Sequence, residues 1–255
     1  RYVTREPIAP RPMTRSVARF KRGQLPKADT ELMSKAVKWL VGTRKHGQGW
    51  WSYEGTPGET PLNHKGTQSK NGDRSNSQFA VLALHAALAH GIEVPGTVWE
   101  EVYTETVAKS QATKGPSASL ANSEFNSNSP LRYDPRDDAV ARPGTTTERH
   151  APTLSTDERL KGKARGWAYP TATRATPENA YGSMSAAGVS TVAIVREGLR
   201  VSRRLTSKRT LGSLVSLRDG LGWLLNNYDP TRNPGRGAAH YYYFAYSFEK
   251  AMDTA

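Results

Sequence analysis

A chain of 255 residues is long enough to bury a core of its own, and its length fits one or two domains. It contains no cysteine, which excludes disulfides, thiolate catalysis and cysteine-ligated zinc or iron–sulfur centres, and no run reaches the roughly 18 apolar residues of a membrane span. The formal charge of +13 is unevenly placed, with +9 on residues 1–45, −1 on residues 46–195 and +5 on residues 196–255.

Residues 1–28 read as an extended basic arm, because Pro7, Pro10, Pro12 and Pro26 interrupt any periodicity. A basic arm on a near-neutral body suits docking to an acidic protein, anionic lipid or nucleic acid. Arg1 stands where an initiating Met would be expected, so the native N-terminus is read as lying upstream, with any export signal out of sight. The domain proper is expected over 29–255. Asp29 offers an N-cap to a first helix, striped by Leu32, Met33, Ala36, Val37, Trp39 and Leu40 and ending near Gly42. A polar loop follows to residue 74. The second helix opens at Asp73 or Ser75 and runs to about His90; it is apolar on nearly all sides, the pattern of a helix buried between others.

Pro95 starts a third helix with Val98, Trp99, Val102, Tyr103 and Val107 at helical spacing. Residues 115–165 then lose all periodicity, as an irregular insertion or a lid would. A fourth helix is expected from about Tyr181 to Arg200, a fifth from about Leu211 to Asn227, and a sixth from about Ala238 to Met252. Gly49-Trp50-Trp51-Ser52-Tyr53, Gly166-Trp167-Ala168-Tyr169 and Gly222-Trp223 mark three copies of one unit: helix, Gly/Trp turn, second helix. A recurring helical hairpin predicts an all-α repeat architecture.

Three stretches carry a family resemblance: Asp73-Arg74-Ser75-Asn76-Ser77-Gln78-Phe79-Ala80, Tyr181-Gly182-Ser183-Met184-Ser185-Ala186-Ala187-Gly188, and Tyr241-Tyr242-Tyr243-Phe244-Ala245-Tyr246. With the Gly-x-Trp-x-Tyr turns, they resemble the α/α toroid of the squalene-cyclase and protein-prenyltransferase superfamily. More specifically, the chain resembles the bacterial, often planctomycete, prenyltransferase/squalene-oxidase repeat proteins. The resemblance covers roughly residues 29–112 and 166–253. It implies antiparallel hairpins forming a toroid or part of one; with no apolar span the chain is expected to be soluble, and an exported bacterial protein is one expectation for its compartment. A complete toroid needs about five to seven hairpins against the three counted, so a second copy or another protein is the expected partner.

The departures from that family bear on activity. Terpene cyclases of the family use an Asp-x-Asp-Asp acid motif, whereas the nearest string here is Asp134-Pro135-Arg136-Asp137-Asp138, inside the irregular insertion. The prenyltransferase zinc set includes a cysteine that this chain lacks. His46, His64, His85, His90, His150 and His240 show no metal spacing, so no metal and no cofactor are expected. Asp73, Asp137 and Asp138 are the weak candidates for an acid. If the inner helices point their N-termini at a cavity, Asn76 and Gln78, Tyr181, Ser183 and Ser185, and His240, Tyr241 and Tyr242 converge there as ligand groups. Helix capping and packing explain the same residue types. Trp50, Trp51, Tyr53, Trp167 and Tyr169 offer stacking surfaces, or tie hairpins together as core aromatics do.

The leading expectation is a catalytically degenerate cyclase-like repeat protein that acts as a binding or assembly module in a larger complex. The alternative is an isoprenoid or lipid enzyme or carrier with a central apolar cavity and the 115–165 segment as lid. A third reading is carbohydrate binding or lyase chemistry on the aromatic residues.

Overall fold

The computed structural model describes residues 25–44, 48–52, 72–120, 161–171 and 173–255. Within them the chain is mostly helical, as its periodicity predicts: α1 (Lys27–Thr43), α2 (Arg74–Ala89), α3 (Gly96–Tyr103), α4 (Gly182–Val201), α5 (Ser207–Asn227) and α6 (Tyr241–Thr254). α3 passes directly into a π-helical stretch, Thr104–Ser110, and two short strands follow, β1 (Ser117–Ser119) and β2 (Lys161–Lys163). No helix among the described residues is long and apolar enough to cross a membrane.

The starts of the helices follow from local chemistry. Asp73 caps α2 by accepting from the Asn76 N–H at 3.0 Å, and Thr206 caps α5 by accepting from the Arg209 N–H at 3.3 Å. Each satisfies a donor that the first turn otherwise leaves unpaired. α4 lies at the centre and packs on α2, α3, α5 and α6. Its small residues make that possible. A Cβ on Gly188 would stand 2.3 Å from Cδ2 of Trp167, and one on Gly198 would stand 2.4 Å from Cδ2 of Trp99. The two indoles therefore lie against bare helix backbone. Two apolar clusters meet on α4, one around Trp167, Met184, Leu217, Leu221 and Trp223, the other around Val81, Leu84, Val98, Trp99 and Leu199. Each large side chain so buried contributes roughly 1.5–3 kcal/mol.

Several expectations shift. α1 starts two residues before Asp29, after Pro26. α5 starts earlier than Leu211 because Thr206 supplies the cap. α6 starts later than Ala238 because residues 230–240 form turns closed by an Asn233–Gly237 bridge. Gly222 and Trp223 lie inside α5, so the third Gly-Trp is not a turn like the first two. The insertion is anchored where it leaves the body: β1 pairs antiparallel with β2, Ser117 opposite Lys163 and Ser119 opposite Lys161. Asp219 of α5 pins that ladder by accepting from the Lys163 N–H at 3.2 Å and pairing with Arg165 and Arg218. α2 is not enclosed on all sides, since Phe79, Ala83, Ala86 and Ala89 face outward. Asp137, Asp138, Tyr53 and the arm before residue 25 lie outside the described residues.

Candidate functional site

The first two Trp turns are built alike, bond for bond. In the first, the Trp51 N–H donates to Ser77 Oγ at 3.0 Å, its carbonyl accepts from the Asp73 N–H at 2.9 Å, and its indole N–H donates to the Leu40 carbonyl at 2.8 Å. In the second, the Trp167 N–H donates to Ser185 Oγ at 3.2 Å, its carbonyl accepts from the Tyr181 N–H at 3.3 Å, and its indole N–H donates to the Thr106 carbonyl at 2.9 Å. One tryptophan thus ties the end of an outgoing helix to the start of the returning one. Trp51 and Trp167 are buried hairpin locks.

The polar residues at the helix starts are drawn into similar ties. The Asp73 carboxylate accepts from the Asn76 N–H, from Ser75 Oγ and from the Tyr169 hydroxyl. Tyr181 lies under the Arg236 guanidinium, 4.4 Å from ring centre to Cζ. Burial raises the pKa of its hydroxyl, and Arg236 acts in the opposite direction. The Ser183 N–H donates to Asn233 Oδ1 at 2.9 Å and the Gly182 N–H to the Pro234 carbonyl at 2.8 Å, so the loop before α6 caps α4. Tyr241 donates its hydroxyl to the Pro230 carbonyl at 2.7 Å. His240 is exposed, holds a left-handed φ of 56° and makes no capping side-chain bond.

Gln78 does not face a cavity. Its amide nitrogen donates to Ser190 Oγ at 3.1 Å, and its amide oxygen accepts from the Tyr243 hydroxyl at 2.7 Å and from Ser247 Oγ at 3.1 Å. It joins α2, α4 and α6. The structure therefore brings Trp51, Asp73, Asn76 and Tyr169 together, bonds Trp167 to Tyr181 and keeps Tyr181 within electrostatic reach of Asp73, while Gln78, Ser183 and Tyr241 lie in separate ties and His240 is exposed.

Behind Asp73 sits a buried ion pair that sequence reasoning missed. Arg74 Nη2 lies 3.4 Å from Glu105 Oε1, each residue is 2% exposed, and Arg74 Nε donates to the Ala168 carbonyl at 3.0 Å. Glu105, in the π-helical stretch, also accepts from Thr106 Oγ1 and Ser110 Oγ. Removing one partner of such a pair leaves a buried charge uncompensated, at a cost of about 3–5 kcal/mol. Asp73, Glu105 and Asp219 are thus buried carboxylates that each accept from several donors of the fold.

Several rings of α2 and α6 are turned outward. Phe79 is 48% exposed, Tyr242 87% and Tyr246 38%. Phe79 stacks on Tyr246 with ring centroids 5.6 Å apart and meets Tyr243 at 6.0 Å. Ala83 and Ala86 continue the α2 side at helical spacing, and Ala245 lies between the exposed rings of α6. α2 has no Lys, Arg, Asp or Glu between Ser75 and Ala89, so this face presents rings and methyl groups alone along that helix. A signal was present in the sequence, since Phe79, Ala83 and Ala86 recur at one side of an uncharged helix. No protein family, curated protein or solved structure matches the chain.

Proposed function

We propose that the chain is a cyclase-like helical repeat, part of an α/α toroid that has kept the scaffold without the chemistry, and that it works as a binding or assembly module. The observation that carries this reading is the outward aromatic and alanine face of Phe79, Ala83 and Ala86 on α2 with Tyr242, Ala245 and Tyr246 on α6, bordered by Lys250, whose ammonium lies 5.7 Å from the Tyr246 ring centre. Contiguous exposed apolar surface rimmed by polar residues marks a protein interface. Alanines let a partner helix approach closely, and large rings anchor it, as in helix-in-groove recognition. The several donors that meet Asp73, Glu105 and Asp219 support a structural use of these interior acids.

Photo-cross-linking from position 242 tests it in the native organism. A discrete protein adduct is expected, identified by mass spectrometry and lost when Phe79→Asp and Tyr246→Asp are introduced together. The same adduct is expected to survive joint substitution of Asp137 and Asp138. An adduct that forms equally from Lys35 of α1, or one that the double Asp variant retains, would refute the reading. A cross-link to another copy of the chain would make the module self-assembling.

A further inference from the structure

The turn between α4 and α5 is a separate surface, and it does not involve the aromatic face. α4 ends in a Schellman pattern: the Arg203 N–H donates to the Arg200 carbonyl at 3.1 Å and the Arg204 N–H to the Leu199 carbonyl at 2.7 Å. That pattern puts residue 203 in the left-handed region, where glycine is least strained. The residue is Arg203, with φ 57°. Its side chain is exposed and makes no hydrogen bond or ion pair with another described residue. Strain retained at such a position points to a use for the side chain outside the fold.

Its surroundings are basic. Residues 196–209 hold six cations against one acid, Glu197. Glu197 binds Arg200, and Glu100 of α3 takes both Arg204 and Arg209 at 2.7 and 2.8 Å. The patch remains net positive after this pairing, and Lys208, like Arg203, is exposed and engaged with no described side chain. Topology adds to it. Gly96, at the start of α3, lies against Arg204, so α2 ends, α3 begins and α4 ends at one end of the bundle. The Leu40 carbonyl near the C-terminus of α1 meets Trp51 at the start of α2, so α1 begins at that same end.

Five of the six cations are arginines, whose forked donors fit phosphate oxygens in pairs. Val201 and Leu211 are exposed nearby, but as isolated side chains rather than the continuous apolar face by which an interfacial helix inserts into lipid. We propose that the α4–α5 turn docks the phosphate backbone of nucleic acid, with Arg203 and Lys208 as the groups that reach it.

Fluorescence anisotropy of the full chain with labelled mixed-sequence duplex DNA, across a salt series, tests this. The parent is expected to bind with log K falling linearly against log salt. Arg203→Gly with Lys208→Ser should weaken binding about tenfold and flatten the slope by about 2. Arg203→Gly alone should weaken binding while raising the melting temperature, because glycine relieves the strained turn. Loss of binding through unfolding would instead lower that temperature. Arg232→Ser with Arg236→Ser, at the opposite end, should bind like the parent. The proposal is overturned if the Arg203/Lys208 variant keeps the parent's affinity and slope. It is equally overturned if the parent ignores DNA and is captured by phosphatidylglycerol vesicles through these two residues.

Discussion

Gln78 shows how a polar residue in an apolar helix can be consumed by the fold. Its three hydrogen bonds reach Ser190, Tyr243 and Ser247, on helices far away in the chain. The residue type alone marks a polar group that must be satisfied, and it leaves open whether the partner is a ligand or another helix. Gln78→Leu preserves volume but leaves the Tyr243 and Ser247 hydroxyls without their acceptor. At about 1–3 kcal/mol for each group left unsatisfied, a loss of about 2–4 kcal/mol is expected. Urea denaturation should show a lower midpoint at unchanged slope. Adding Tyr243→Phe and Ser247→Ala to Gln78→Leu should restore most of the loss, since removing both sides of a hydrogen bond is nearly neutral. A triple variant as unstable as the single would mean that Gln78 acts through packing instead.

At the scale of elements, the fold depends on tryptophans meeting glycines. Trp167 is held between Gly188 of α4 and Gly220 of α5, where added Cβ atoms would stand 2.3 and 2.8 Å from its ring. The indole has helix on both faces and its N–H is fixed on the Thr106 carbonyl, so it cannot swing away from a new methyl group. Gly188→Ala should therefore cost about 1–3 kcal/mol, at the upper end of overpacking effects and in spite of alanine's better helix propensity. Thermal unfolding monitored by circular dichroism gives the value, and a neutral or stabilising result would show that α4 and α5 can move apart. Much of this was legible in the chain. Helical spacing located the six helices of the described residues, and Asp73 was readable as a cap at the start of α2. The ladder was not, because Ser117–Ser119 and Lys161–Lys163 are three-residue polar strands with no alternation to detect and a long stretch between them. Asn233 as the cap of α4 was equally hidden, because it acts across 50 residues. The Gly222-Trp223 pair misled by likeness: Trp223 joins the core from within α5, in the cluster that holds Trp167. Phe79 was placed inside by the overall apolarity of α2, yet helical spacing sets it on the outward stripe.

For the whole molecule, the position of α4 decides how the hairpins hold together. Repeat proteins in which each unit touches only its neighbours unfold as a series of weakly coupled steps. Here α4 packs on four other helices and carries members of both apolar clusters, so the second hairpin is joined directly to the first and to the third. Gln78 adds a bond between α2 and α6 across it. These contacts make α2 through α6 one cooperative unit. α1 stands apart. It packs mainly on α2, and its C-terminal end is held by the Trp51 indole and by the Arg44–Glu101 pair at 2.9 Å. Native-state hydrogen exchange should therefore show the amides of α4 opening only with global unfolding, and those of α1 opening at a lower free energy. Trp51→Phe removes the indole bond to the Leu40 carbonyl, which should speed exchange in α1 and leave α4 close to the parent. Equal protection of α1 and α4, or stepwise loss through α2, α4 and α6 in turn, would show that α4 does not unify the bundle.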